Sequence, residues 1–158
     1  MPGSVPDLDT SARFVIDNSV WQRQRQPSVR AAMDHLISTY SPWSVLVCPP
    51  VVAEVGFSAR SGKDHDKVCR FLAEFSECEV QPTSALVLDI QNALFNGGLL
   101  RAVGAMDTVI AAYAIANNAT VVHYDADFEH VSHLRPDFKQ SWVVPRGTLQ
   151  GGPKTPHM

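Results

Sequence analysis

The sequence predicts an α/β domain of three layers, in which a central, mainly parallel sheet lies between two layers of helices. Two observations support this class. Short apolar runs alternate with longer amphipathic stretches, and the apolar runs carry hydrophobic residues at consecutive positions. Strands that are apolar on both faces are typical of parallel sheets covered by helices. The length of 158 residues suits one domain. We expect that domain at residues 12–146, with flexible termini at 1–11 and 147–158 that are rich in Gly and Pro.

The apolar runs predict five strands, each followed by residues that end a strand. The first run, Phe-Val-Ile, stops at Asp-Asn-Ser, which are good turn and N-cap residues. The second run stops at two consecutive prolines. In chain order the predicted strands cover residues 14–16, 45–48, 78–81, 120–124 and 142–144, and the third is expected at an edge of the sheet.

The segments between these runs predict helices. Pro27 and the pair Pro49-Pro50 suit a first helical turn, Ser84 suits an N-cap, and Asn96-Gly97-Gly98 suits a helix end. In chain order, helices are predicted at residues 27–39, after 49, at 62–75, at 84–94, from 107 or 108 to 117, and shortly after 125.

Composition and charge narrow the class of protein. The hydrophobic content of 45% and the formal net charge of −3 exclude a largely disordered chain and do not suggest a typical basic nucleic-acid binder. The charge is unevenly spread, since residues 13–70 hold eight Lys and Arg against five Asp and Glu, whereas residues 71–137 hold two against nine. This uneven distribution indicates a site with one sign of charge beside a region with the opposite sign of charge.

Cysteine spacing and apolar run length predict the compartment. Cys48, Cys69 and Cys78 form no Cys-x-x-Cys pair, which argues against a disulfide framework and against a zinc site. The N-terminus lacks a signal-peptide pattern, and the longest apolar run, 109–116, is far below the ~20 residues of a membrane helix. We therefore expect a cytoplasmic protein that does not associate with a membrane.

Five acidic residues are predicted to meet at the carboxyl edge of the sheet, where open α/β sheets place their chemistry. Asp17 directly follows the first strand, and Glu54 lies in the first turns of the helix that leaves the second. Asp107 begins the helix that feeds the strand at 120–124, whereas Asp125 and Asp127 follow that strand. Each Asp alone is explained as a helix cap. Carboxylates in a cluster instead repel one another, and together they bind a cation. Oxygen ligands favour Mg²⁺ or Mn²⁺.

The same residues carry a resemblance to a known family. The chain resembles the PIN domain, and within it the VapC-type toxins of bacterial toxin–antitoxin pairs, over residues 13–146. Four segments match the family's motifs in order: Phe-Val-Ile-Asp-Asn-Ser at 14–19, Val-Ala-Glu-Val at 52–55, Asp-Thr-Val-Ile-Ala-Ala-Tyr-Ala at 107–114, and His-Tyr-Asp-Ala-Asp-Phe-Glu at 123–129.

The resemblance implies a PIN-like α/β/α fold and a metal-dependent endoribonuclease, the toxin of a type II toxin–antitoxin pair. Its implied partners are an RNA substrate and a cognate antitoxin, and the implied assembly is a homodimer. The implied catalytic and Mg²⁺- or Mn²⁺-binding acids are Asp17, Glu54, Asp107 and Asp125. Asp127 is expected to act through a water on the metal, because Asp125 is nearer the strand end.

Several further side chains are candidates for holding the substrate. Ser19 is expected to hold the site by hydrogen bonding. Arg23 and Arg25, just beyond Asp17, could bind RNA phosphates, or they could form a solvated helix face. Arg101 could neutralise a phosphate or form a salt bridge. His123 is expected to be buried and hydrogen-bonded.

Two other functions fit parts of the pattern. A HAD-type phosphatase also places an Asp at the first strand end, but it needs a second Asp two positions later, where this chain has Ser19. A catalytically inactive PIN-like module that binds protein or nucleic acid is the other alternative. Retention of all the acids argues against it, because carboxylates crowded without a cation weaken a fold.

Overall fold

The central sheet of the computed structural model, which describes residues 12–40 and 42–149, is entirely parallel across the strand pairs of these residues. Its order is β3-β2-β1-β4-β5. The strands are β1 Phe14–Ile16, β2 Val45–Val47, β3 Ser76–Glu77, β4 Thr120–His123 and β5 Lys139–Trp142. The predictions for residues 1–11 and 150–158 lie outside the described residues.

Helices flank the sheet and confirm the predicted α/β class. They are α1 Asn18–Trp21, α2 Pro27–Tyr40, α3 Pro49–Phe57, α4 Gly62–Leu72, α5 Ser84–Asn96, α6 Ala105–Ala116 and α7 Asp127–Leu134, with a 3₁₀ turn at Pro42–Ser44. The hydroxyls of Ser61 and Thr83 cap α4 and α5 by accepting backbone N–H groups. Within the described part of the chain, every helix is too short or too polar to span a bilayer.

Strand β1 forms the centre of the sheet and of the core. Phe14 is in register with Val45 of β2 on one side and with Thr120 of β4 on the other. Val15 and Val121 are fully buried, as expected for strands covered on both faces. Burial of one such side chain contributes roughly 1.5–3 kcal/mol to folding.

Small residues let α6 pack closely. Ala111, Ala112 and Ala114 are all fully buried. Helix α6 then leads through a short turn into β4, where the Thr120 N–H donates to the Arg13 carbonyl at 2.8 Å. The close packing fixes the start of α6 at the carboxyl edge of the strands.

Both edge strands differ from their predicted bounds. Strand β3 covers residues 76–77 rather than 78–81, and its two residues are exposed. Strand β5 covers 139–142 rather than 142–144, and its exposed and partly covered residues alternate. Edge strands are covered by fewer neighbours, so they need not carry the apolar runs on which the predictions were based. The run at 143–144 instead follows β5.

Helix α6 begins before the predicted position. It starts at Ala105, with Gly104 as its N-cap, so Asp107 lies within the first turn rather than at the boundary. The Gly104 residue supplies no capping side chain. The Asp107 carboxylate therefore remains at the carboxyl edge without being the residue that caps the helix.

Candidate active site

Asp17 is held at the junction of β1, β4 and α1. Its backbone N–H donates to the Val122 carbonyl at 2.9 Å, which extends the pairing of β1 with β4. Its carboxylate Oδ2 accepts the Ser19 N–H at 2.9 Å and caps α1. The side chain is only 3% exposed. The position and orientation of Asp17 are thus fixed by the backbone on both sides of it.

Ser19 links the two loops at this edge. Its hydroxyl oxygen accepts the Tyr124 N–H at 2.9 Å. The loop after β1 is thereby joined to the loop after β4, which carries Asp125. That Ser19 serves a functional site in this way stays a prediction.

The loop after β4 is shaped by hydrogen bonds of Asp125. Its N–H donates to His123 Nδ1 at 3.0 Å, and its Oδ1 accepts the Asp127 N–H at 3.0 Å. The second contact is the local side-chain-to-backbone bond by which Asp residues form turns. One carboxylate oxygen each of Asp125 and Asp127 lies close to Asp107, in the first turn of α6.

Three of the predicted acids form a compact group. Asp107, Asp125 and Asp127 each offer a carboxylate oxygen, and these oxygens all lie within 4.8 Å of one another. All three side chains are partly buried. Asp17 and Glu54 lie outside this group but belong to its electrostatic environment.

Three of the five acids, Asp17, Glu54 and Asp107, have raised pKa values. Burial raises the pKa of Asp107 to about 8, with further contributions from the charges of the other four acids. Burial also raises the pKa of Glu54 to about 7, again with the charges of Asp17 and Asp125. Burial is the largest cause of the raised pKa of Asp17 as well, although hydrogen bonds from Ser19 oppose it. When no cation is bound, the raised pKa values favour the protonated, uncharged forms of these carboxyl groups.

The donor set fits a hard divalent cation. Among the described residues, Asp17 Oδ1 and Asn18 Oδ1 are buried side-chain oxygens without a hydrogen-bond partner. An unpartnered carboxylate oxygen in a buried site is costly unless a ligand satisfies it. The clustered ligand atoms are all carboxylate oxygens, the donors that Mg²⁺ and Mn²⁺ prefer. The predicted residues therefore fit the group that the resemblance implies.

His123 contacts the acidic edge through the backbone of Asp125. It is fully buried and hydrogen-bonded, as predicted, and its burial lowers its pKa. Because Nδ1 accepts the Asp125 N–H, the neutral ring carries its proton on Nε2, which lies 2.6 Å from Gln140 Oε1. Gln140 was not predicted, because its position beside His123 depends on the register of β5.

The candidate substrate-binding arginines lie in different surroundings. Arg23 Nη1 donates to the Ser19 carbonyl at 2.7 Å, and its guanidinium lies 5.1 Å from the centroid of the Tyr124 ring. Arg25 and Arg101 are exposed. Within the described residues, none of the three forms an ion pair with a site acid. Only Arg23 is brought into contact with the loops of the acidic edge.

Tyr124 lies in the last of the four segments that match the family's motifs, and the sequence predicts no role for it. Its hydroxyl accepts the N–H groups of Gly147 and Leu149, at 3.2 and 3.1 Å. Its ring packs edge-on against Trp142 and faces Arg23. The position of this aromatic residue directly before Asp125 could have indicated a contact surface beside the acidic residues.

Comparisons with known proteins identify the family of the chain. The family model of the PIN domain matches residues 15–134. Ribonuclease VapC21 of Mycobacterium tuberculosis is 31% identical over 140 residues, covering 87% of this chain and 99% of that protein. Ribonuclease VapC18 of the same organism is 30% identical over 139 residues, covering 86% and 98%.

Solved structures share the fold. DNA-bound VapBC from Salmonella typhimurium matches with a TM-score of 0.64 at 17% identity, covering 84% of this chain and 99% of the other. VapBC2 from Rickettsia felis, bound to a DNA fragment from its promoter, matches with a TM-score of 0.63 at 17% identity, covering 82% and 97%. The sequence match, the fold and the acidic edge lead to one conclusion: the chain belongs to the PIN domain family, within its VapC type.

Proposed function

We propose that this protein is a metal-dependent endoribonuclease that hydrolyses RNA phosphodiester bonds as the toxin of a type II toxin–antitoxin pair. The observation that carries the proposal is the approach of the Asp107, Asp125 and Asp127 oxygens to within 4.8 Å of one another at the carboxyl edge. The names of the VapC relatives, both ribonucleases, support the reaction.

The acids are the proposed holders of the metal. Asp17, Glu54, Asp107 and Asp125 are the proposed direct ligands, with Asp127 beside them. A bound Mg²⁺ or Mn²⁺ supplies positive charge to phosphate oxygens and lowers the pKa of an attacking water. The raised pKa values of Glu54 and Asp107 mean that these side chains lose protons when a cation binds.

The protein's own contribution is a fixed geometry. The Ser19 N–H holds one oxygen of Asp17, and the Ser19 hydroxyl holds the backbone before Asp125. Neutral His123 accepts the Asp125 N–H without adding charge to the edge. These contacts orient the carboxylates before substrate arrives, which avoids the cost of ordering them during the reaction.

Arg23 is the proposed contact for a phosphate that flanks the scissile bond. Its guanidinium is held by the Ser19 carbonyl and by the face of Tyr124, and within the described residues no ion pair neutralises it. Arg25 and Arg101, both exposed, are proposed as weaker contacts. Arginine suits phosphate because its planar donors can form two hydrogen bonds.

A cognate antitoxin is the proposed regulator. The solved structures that share the fold of this chain include VapBC from two organisms. We propose that the antitoxin of this chain inserts a basic side chain, preferably Arg, between the clustered carboxylates. A homodimer in the cytoplasm is the proposed working form, because two copies would join two sets of basic residues along one RNA path.

The HAD-type and inactive-module alternatives are not favoured. At the position where a HAD enzyme needs a second Asp, the Ser19 hydroxyl is occupied by the Tyr124 N–H. An inactive module would have no use for an unpartnered, buried Asp17 oxygen beside four other acids.

The direct test of the activity is the mapping of RNA ends in cells. We expect expression of the protein to create new RNA 5′ ends at discrete positions. Expression of the D107N variant should not create them. A matched control is D89N, because Asp89 is an exposed residue of α5 outside the acidic edge. Equal cleavage by wild type and D107N would contradict the proposal.

A further inference from the structure

Cys48 and Cys78 directly follow the adjacent strands β2 and β3. Strand β2 pairs with β3 so that Val47 is in register with Glu77. The Cys78 N–H continues this ladder by donating to the Val47 carbonyl at 2.9 Å. The next facing pair in register is therefore Cys48 with Cys78.

Two cysteines at such positions meet the distance requirement for a disulfide. Neighbouring strands lie about 4.8 Å apart, and a disulfide needs Cα atoms about 4.4–6.8 Å apart. Residues in register point to the same face of a sheet. Each of the two thiols is also the largest influence on the pKa of the other, which agrees with neighbouring sulfurs.

The two thiols have unlike surroundings. Cys48 is 1% exposed, whereas Cys78 is partly exposed. The neighbouring Cys48 thiol lowers the pKa of Cys78, an effect that Arg13 supports and that burial and Glu77 oppose. The Cys78 thiol, together with burial, raises the pKa of Cys48. Cys78 is therefore the more reactive sulfur, and Cys48 is the protonated neighbour.

We propose that Cys48 and Cys78 form an oxidative modification site, at which a peroxide converts the reduced pair into an intramolecular disulfide. Because the chain otherwise has only the exposed Cys69, this site is separable by mutation from other thiol chemistry. The proposal does not depend on the nuclease assignment.

The chemistry balances with one peroxide. The Cys78 thiolate attacks a peroxide oxygen, the O–O bond breaks, and hydroxide leaves and takes up a proton to become water. Cys78 is then a sulfenic acid. The Cys48 sulfur displaces the sulfenic hydroxyl, which leaves with the Cys48 proton as a second water. Two thiols lose two electrons in total, and one peroxide becomes two waters.

The disulfide would join the N-cap residue of α3 to the residue after β3. Cys48 is that N-cap, and α3 and α4 form the segment between the two cysteines. Crosslinking a segment of about 30 residues restricts the unfolded chain and stabilises the fold. We therefore expect the oxidised protein to melt at a higher temperature than the reduced one.

The test uses the full chain with Cys69 replaced by Ser, treated with an equimolar amount of hydrogen peroxide. We expect the loss of both remaining thiols, a mass lower by two hydrogens, and one crosslinked peptide that contains Cys48 and Cys78. Dithiothreitol should restore both thiols. Two free thiols after treatment, or crosslinks between chains, would overturn the proposal.

Two single variants separate the roles of the sulfurs. In C48S, the Cys78 sulfenic acid should persist and be captured by dimedone. In C78S, Cys48 should remain a free thiol, because it is buried and protonated. Oxidation of Cys48 in C78S at the wild-type rate would contradict the assignment of Cys78 as the attacking sulfur. If C48S does not fold, the C69S and C78S results decide the proposal.

Discussion

The Ser19 hydroxyl accepts the Tyr124 backbone N–H at 2.9 Å, although the two residues are 105 positions apart in the sequence. This bond connects the loop that begins at Asp17 with the loop that contains Asp125. The carboxylates of a metal site on separate loops are correctly spaced only if the loops are fixed relative to each other. Ser19 is therefore a positioning residue in this account.

Replacement of Ser19 by Ala tests this role. The Tyr124 N–H would lose its partner, so we expect a loss of about 1–2 kcal/mol in the free energy of unfolding. We also expect a cleavage rate lower by roughly tenfold, because a small misplacement of catalytic groups is costly. Denaturant melts and an RNA cleavage assay measure the two effects.

Ser38→Ala is the matched control for Ser19→Ala. The Ser38 hydroxyl donates to the His35 carbonyl on the exposed surface of α2. Its removal should leave both stability and cleavage nearly unchanged. A Ser19→Ala protein with wild-type stability and activity would mean that the loops are fixed by other contacts.

Asp107 is the clearest site for separating stability from activity. At pH 7.5 the unfolded chain carries Asp107 ionised, and burial at the acidic edge requires it to bind a proton. Asp107→Asn removes this requirement, so the metal-free protein should be more stable at pH 7.5, by about 1–3 kcal/mol. Cleavage should be abolished. Chemical unfolding in EDTA gives the stability, and D89N serves as the control for an exposed acid. Lost activity in an unfolded protein would instead indicate a structural role for Asp107.

The raised pKa values predict how stability depends on pH. Asp107 and Glu54 have pKa values of about 8 and 7 in the folded protein, against ordinary values near 4 in an unfolded chain. Between these limits the folded protein binds more protons than the unfolded chain. The free energy of unfolding in EDTA should therefore fall as pH rises from about 4 to 8. In D107N this fall should be shallower, and an identical slope would contradict the assigned shift.

Arg23 and Arg25 test the proposed RNA path. Neutralising both to Gln should weaken RNA binding by roughly tenfold. It should also lower the slope of log affinity against log salt by about 1 to 1.5, because each phosphate contact on a single strand contributes about 0.7. Metal affinity should not change. Fluorescence anisotropy at several salt concentrations measures both quantities.

The control for this pair is the neutralisation of Arg135 and Lys139, which removes the same amount of charge at the amino ends of the strands. Arg135 follows the end of α7, and Lys139 begins β5. Both are remote from the carboxyl ends of the strands. If R23Q/R25Q binds RNA with unchanged affinity and salt dependence, this surface is wrong and Arg101 is the next candidate.

The proposed antitoxin contact makes a structural prediction. In a complex of this chain with its antitoxin, an Arg of the antitoxin should lie within hydrogen-bonding distance of Asp107 or Asp125. Substitution of that Arg by Ala should weaken inhibition of cleavage. Acids that face open solvent in the complex would exclude inhibition by occupation of the site, although they would leave the nuclease proposal intact.

The sequence predicted the position of the acids better than the contacts between them. Asp17 and Asp125 follow the apolar runs of central strands, and parallel strands bring such positions to one edge. Whether these acids bind metal stays a prediction. By contrast, β3 has two exposed residues, so its hydrophobic signal was absent.

The contacts among side chains depend on register, which the sequence pattern does not specify. Gln140 reaches His123 because β5 pairs with β4 at residues 139–142 rather than at 142–144. A shift of one residue in that pairing would turn Gln140 to the other face. The link between Ser19 and Tyr124 likewise requires two loops that only the tertiary fold brings together.

The most direct test of the central claim is the rate of RNA cleavage by the purified protein, measured in EDTA and again after excess Mg²⁺ or Mn²⁺ is added. Wild-type protein should be inactive in EDTA and should recover its activity with either ion. D17N and D107N, shown to be folded by their melting curves, should remain inactive under both conditions. Equal cleavage by the wild-type protein in chelator and in metal would contradict the account.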